Sequence, residues 1–162
     1  EPAVRLAQEL RRQGVTGRLV AGSTVGDPEL ARHMGADGDG SVIPSTFYAG
    51  TSDKAAQFDA EIVKRAKAAG IEHDAASQFD AATYDIVQFY AHALKETKAT
   101  GEPGKLAAER TAIRDVLRSM PPYPALEGPI SIGKNGDALK PVYVIEMQGG
   151  RWNLIGTHPA GS

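Results

Sequence analysis

Apolar residues at Val4, Leu6, Ala7 and Leu10, with Arg and Gln between them, recur at helical spacing and predict a helix over Val4 to Gln13. Gly14 ends it, because glycine closes a helix in the left-handed conformation without a Cβ penalty. Leu19-Val20-Ala21 then reads as a very short strand, with Gly22-Ser23-Thr24 at its carboxyl end. Small hydroxyl residues at that end of an open α/β sheet can reach a ligand in the crevice above it. Ser23 or Thr24 can equally cap the short helix expected from Pro28 to Met34. Ser41 to Tyr48 follows as a strand broken or placed at an edge by Pro44. Phe47 and Tyr48 at its exit either face a cleft or pack.

After Gly50 the rhythm changes. Ser52 or Asp53 caps a long helix carrying Ala56, Phe58, Ile62, Val63 and Ala66, and Gly70 ends it. Beyond the connection Ile71 to Ser77, Phe79 and the run Ala81 to Leu94 predict a second helix that is apolar on most sides and therefore expected to be buried. A polar linker, Lys95 to Gly104, leads to a third amphipathic helix, Ala107 to Met120, which Pro121, Pro122 and Pro124 stop. Three helices in succession do not continue a βαβ series, so this block is expected to cover a sheet whose strands are encoded elsewhere. Gly128 to Ile132 is a short strand, Gly133 to Asp137 a turn, and Pro141 to Met147 alternates as a strand. Gln148 to Arg151 turns the chain into Trp152 to Ile155, and Thr157 to Ser162 reads as a loose tail. A helix at the outset with no strand before it is an odd start for an α/β domain, and the expectation is a piece of a larger protein.

Composition narrows the function classes. The chain has 162 residues, 41% of them hydrophobic and 23% charged, with a formal net charge of -2, enough apolar material for a core and no dominant basic footprint. A nucleic-acid partner is therefore not expected, and Arg5, Arg11, Arg12 and Arg18 read as a solvated face. Cysteine is absent, which removes disulfides and thiolate chemistry. Gly35 to Gly40 has the glycine and aspartate content of a calcium loop but no closing bidentate Glu, so it reads as a plain turn. Ser23, Ser41 and Ser45 lack the glycine-flanked elbow of a hydrolase, and His33, His73, His92 and His158 are scattered along the chain. Asp37 and Asp39 sit in a loop of the solvated kind. No metal, no cofactor and no catalytic set are expected, and the chain reads as a non-enzyme.

Three runs carry a resemblance. Ala81 to Val87, the Gly128 to Ile132 strand followed by Asn135-Gly136-Asp137, and Tyr143 to Glu146 with Gly149-Gly150-Arg151-Trp152 resemble the C-terminal half of the solute-binding proteins of branched-chain amino-acid ABC transporters. These are type I periplasmic binding proteins of the leucine/isoleucine/valine class, and the resemblance runs from the Val4 helix to Trp152. It implies a partial three-layer αβα fold of the α/β class with parts of both lobes. Residues 1–48 would belong to the second lobe, 49–127 would supply helices of the first, and 128–162 would cross back to the second as terminal strands.

The same resemblance implies capture of a small amino acid or carboxylic acid, aromatic acids included, between two lobes for an ABC permease. It also implies a periplasmic or extracellular location and a precursor with a signal peptide. The remainder of the protein, or a second copy, would be needed to complete the core. Amino-acid binders of the family carry a glutamate in the loop matching Gly22-Ser23-Thr24, where it grips the ligand ammonium; Thr24 is the nearest match here, with Asp27 as the possible substitute. A neutral hydroxyl cannot replace that charge-assisted bond. Phe79 matches an aromatic that lines the family's cleft, which makes Ser23, Thr24, Asp27 and Phe79 the candidate ligand residues. A ligand-sensing domain of the same fold and an α/β enzyme domain completed by residues outside this chain are the alternatives.

Overall fold

The computed structural model describes residues 2–161. Helix α1 (Pro2–Arg12) ends where Gly14 takes φ 80°. Arg11 then fastens the following loop, donating through its guanidinium to the carbonyls of Val15 (2.7 Å), Gly17 (2.9 Å), Asp37 (3.1 Å) and Asp39 (3.3 Å). Far from being merely solvated, this arginine neutralises carbonyls that no regular element pairs. Arg12 and Arg18 form ion pairs with Glu9 and Glu146.

Leu19 to Ala21 does not reach the status of a strand. Val20 makes a single parallel bridge to Val42 and is 77% exposed, so one flank of this segment is open among the described residues. Helix α2 (Pro28–Met34) is capped neither by Ser23 nor by Thr24. Asp27 does it, accepting from the Glu29 N–H at 2.8 Å, with Pro28 at the first helical position, where its missing N–H costs nothing. The glycine and aspartate loop begins as a short 3₁₀ turn, Gly35–Gly38, and Asp39 accepts from Gly149 N–H at 2.7 Å, anchoring the distant hairpin. Any Cβ at Gly38 would collide with the Met147 thioether, so this close approach requires glycine.

Strand β1 (Val42–Ser45) is shorter than the Ser41 to Tyr48 expected, and Pro44 lies inside it. Val42 donates to Leu19 O, so by alternation the ring nitrogen of Pro44 also turns toward that flank, beyond the point where the 19–21 segment pairs. The proline thus removes no ladder bond to β5. Helix α3 (Asp53–Ala68) is capped by Ser52, whose Oγ accepts from Ala55 N–H at 3.1 Å.

Helix α4 (Gln78–Thr97) starts before the run predicted and is not buried all round. Ala81, Asp85 and Ala93 face the core, whereas Phe79, Ile86, Val87, Tyr90 and Leu94 are each about half exposed along one side, 45–59%. Spacings of 7, 8, 11 and 15 residues from Phe79 keep these side chains on one stripe, an apolar face without a cover among the described residues. Helix α5 (Leu106–Ser119) packs on α4, and strands β2 (Tyr123–Ala125), β3 (Gly128–Ile132) and β4 (Ala138–Leu139) form a small antiparallel sheet beside them.

The last hairpin, β5 (Val142–Gln148) and β6 (Arg151–His158), turns at Gly149 and Gly150 and joins β1 in a sheet of order β1-β5-β6. Thr157 and His158 are not tail residues: they pair with Tyr143 and Val142. Ser162 lies outside the described residues. Alternation along β5 drives Tyr143, Ile145 and Met147 inward, and Met147 meets Val4, Ala7, Ala31 and Met34 of α1 and α2. A separate core, Phe47, Ala55, Ala76, Ala81 and Leu126, unites α3, α4 and the strand β2 corner. A third cluster, Ile43, Tyr143 and Ile145, lies between β1 and β5, and the chain around residues 45–48 passes from it to the core around Leu126, marking a natural seam.

Candidate ligand-binding site

Along that seam the structure brings two of the sequence-derived residues toward each other. Ser23–Val25 is one 3₁₀ turn, closed by Gly26 N–H donating to Ser23 O at 3.0 Å. A Cβ on Gly26 would come within 2.9 Å of Ile43 Cδ1, so glycine lets this turn sit down on the β1 core. The turn leaves Thr24 exposed. Thr24 and Asp27 share a depression of about 420 Å³ with Pro2, Ala3 and Leu30. One carboxylate oxygen of Asp27 is committed to its cap, which leaves only the other for a ligand.

The first turn of α4 adjoins the same 3₁₀ turn on its Ser23 side, away from that depression. Ser77 and Asp80 form a capping box: Ser77 Oγ accepts from Asp80 N–H, and Asp80 Oδ2 accepts from Ser77 N–H at 2.8 Å and from Ser77 Oγ–H at 2.7 Å. His73 Nε2 lies 3.1 Å from the same oxygen. Burial pushes the Asp80 carboxyl upward, but the Ser77 backbone and hydroxyl donors and His73 together outweigh it and hold the group below the ordinary aspartate range. Phe79 stands on this turn, 52% exposed.

Gln78, next to Phe79, was not singled out by sequence reasoning, although an amide at the first position of a helix could have flagged it. Its side chain is buried, Nε2 donating to Ser23 O at 2.6 Å and Oε1 accepting from Thr46 N–H at 3.2 Å. Ser23 and Phe79 therefore lie on adjoining segments, while Thr24 and Asp27 open toward the start of α1.

A groove of about 540 Å³ continues along the seam between α2, the Gly149-Gly150 turn and residues 74–78. Its walls carry Tyr48, Trp152, Arg32 and Gln78. Arg32 Nη1 reaches across to Glu72 at 2.7 Å and Asp74 at 3.8 Å. Of the aromatic pair at the β1 exit, Tyr48 lines this groove and Phe47 packs edge-on against Phe58, centroids 6.0 Å apart. Among the described residues no cluster of His, Cys, Asp or Glu is fit to hold a metal. Hydroxyls, backbone N–H groups, aromatic rings and charged side chains such as Arg32 and Asp74 line the seam, a set suited to holding a small organic molecule.

The family described as periplasmic binding protein matches residues 1–151. No curated protein matches the chain by sequence. Among solved structures, the leucine binding protein LivK of Thermotoga maritima is similar over 98% of this chain and 42% of its own, at 21% identity and a TM-score of 0.77. An ABC-transporter solute binding protein of R. palustris, solved with benzoate, is similar over 99% of this chain and 41% of its own, at 15% identity and a TM-score of 0.77. LivJ of Streptococcus pneumoniae, solved with isoleucine, is similar over 98% and 41%, at 21% identity and a TM-score of 0.73. All three are described as binding proteins, two of them of transporters, and the chain spans about two fifths of their length. With the matched stretch running almost from end to end, the chain belongs to the periplasmic binding protein family and adopts a partial type I fold of that family.

Proposed function

We propose that this chain forms one part of the ligand cleft of an ABC-importer solute-binding protein, and that the solute is a small carboxylic acid with an apolar body. The observation that carries this reading is the convergence of the Gly22-Ser23-Thr24 turn and the α4 first turn, with Phe79, on the Gln78 amide. In this account residues 1–48 and the final strands belong to the second lobe and the helices of residues 49–127 to the first. The β1–β5 pairing and the separate core around Leu126 support that division. The rest of the protein supplies the other cleft residues and covers the apolar stripe of α4. A membrane permease receives the solute, and the protein works in the periplasm or outside the cell after removal of a signal peptide.

Benzoate and isoleucine, the solutes present in two of the similar structures, share a carboxylate on an apolar body. The Thr24 hydroxyl and the backbone donors of its turn suit the carboxylate, and Phe79 suits the apolar part. Thr24 does not supply the negative charge that a buried ammonium demands, which favours simple acids over α-amino acids. Titration calorimetry of the intact protein against amino acids, aromatic acids and short-chain acids tests this. Saturable heat with a carboxylic acid is expected, and silence across all three groups would contradict the transport reading.

A further inference from the structure

We propose that Gln78 is the positioning residue that holds the two sides of the cleft together when it closes; the proposal rests on the two-lobed reading above. Its side chain is 7% exposed, and its two polar atoms are committed to segments remote in sequence, Ser23 on one side and Thr46 on the other. Gln78 opens α4, where the Ser77–Asp80 capping box fixes the backbone, so its carboxamide is tethered to the same turn that carries Phe79. At the far end of the bond, Ser23 O also accepts from Gly26 N–H and so closes the turn that displays Thr24. One amide thereby couples the placement of Phe79 to the placement of Thr24. The part of Ser23 that matters in this arrangement is its carbonyl, not its hydroxyl.

Magnitudes separate this bond from its neighbour. Arg32–Glu72 also spans the seam, but its partners are 36% and 79% exposed and water competes for both charges. The Gln78–Ser23 bond is partly buried and uncharged, so opening the cleft exchanges it for water; removing the side chain leaves Thr46 N–H without this partner in the closed form, while Ser23 O keeps only the Gly26 N–H. The closed-to-open ratio should fall about tenfold when the donor is lost. A brace of that strength biases closure without making it irreversible.

The test uses the intact protein with spin labels on cysteines introduced at the exposed positions Gln8 of α1 and Arg110 of α5, measured by pulsed dipolar spectroscopy without added ligand. The parent is expected to show a short and a long distance. Gln78→Glu keeps an acceptor for Thr46 N–H but turns a carboxylate toward the Ser23 carbonyl, and should lower the short-to-long ratio about tenfold near pH 7. Near pH 4, where a glutamic acid begins to carry a proton and can donate again, the ratio should recover toward that of the parent at the same pH. Gln78→Leu should lower it at both pH values. Recovery separates a hydrogen-bonding role from packing, which acid would not restore. Two populations unmoved by either variant, or a loss in Gln78→Glu that acid fails to restore, would overturn the role of Gln78 alone. A single distance in the parent would overturn it together with the two-lobed reading.

Discussion

The carboxylate of Asp85 grips the Leu126 N–H with both oxygens, each 2.9 Å away, and takes the Glu127 N–H at 3.1 Å as well. Asp85 is 1% exposed. It therefore nails the middle of α4 to the corner between β2 and β3, where the backbone has no ladder partner of its own. Asp85→Ala strands two buried donors and should lower the stability of the intact protein by about 2–4 kcal/mol in denaturant unfolding. Asp85→Asn, which keeps one acceptor, should cost less. A midpoint for the alanine variant within error of the parent would show that the corner is held by other contacts.

Glu127 continues the same corner. Its side chain is 2% exposed, Lys140 Nζ lies 2.8 Å from both of its oxygens, and its carbonyl accepts from Tyr143 Oη–H at 3.1 Å. Replacing only the lysine, Lys140→Met, leaves a buried carboxylate without its cation and should destabilise by about 3–5 kcal/mol. Pairing that change with Glu127→Gln should recover most of the loss. A double-mutant cycle measures the coupling, and additive losses would contradict it.

Acid should loosen the α4 first turn. The carboxyl of Asp80 is held low in the folded protein, so its stabilising contribution is complete above the ordinary aspartate value, about pH 4, and drains away as pH falls through the depressed folded value. Hydrogen exchange at the amides of Asp80 and Ala81 should lose protection over that acid range in the parent. Asp80→Asn should flatten the dependence, and an equally steep profile in that variant would assign the acid sensitivity to another group.

Expressed by itself, the chain of 162 residues should associate. The stripe of Ile86, Val87, Tyr90 and Leu94 and the exposed Val20 beside its open flank offer apolar surface and unpaired backbone together. Light scattering should report dimers or larger species, and unfolding should lack a sharp cooperative transition. A monomer that unfolds cooperatively would refute the assignment of that stripe to a covering sheet.

The helices were legible because each is punctuated locally: Gly14 and Gly70 at positive φ, Ser52 at a cap, prolines after Ser119. The final hairpin was legible from its glycine pair and the alternation of β5. What escaped the sequence depends on partners distant in the chain. The Leu19 to Ala21 segment has strand-like residues, yet a strand also needs neighbours on its flanks. Asp27 outcompeted Ser23 and Thr24 as a cap because the preceding residues turned first into a 3₁₀ turn. Thr157 and His158 look like a polar tail until β5 offers them a ladder. Phe79 and the Gly22-Ser23-Thr24 turn were visible as candidates, but Gln78 was not, since its importance comes from Ser23 and Thr46, 55 and 32 residues away.

The cleft itself is tested most directly by calorimetry of the intact protein with the carboxylic acid that gives the largest heat, comparing the parent with Thr24→Glu and Phe79→Ala. Thr24→Glu places a second negative charge beside the carboxylate and should weaken binding by about tenfold or more, with the loss diminishing as salt is raised. Phe79→Ala removes apolar contact and should weaken binding about tenfold without changing the preference for anions. Parent-like affinity in both variants would contradict the account, because neither residue would then line the site.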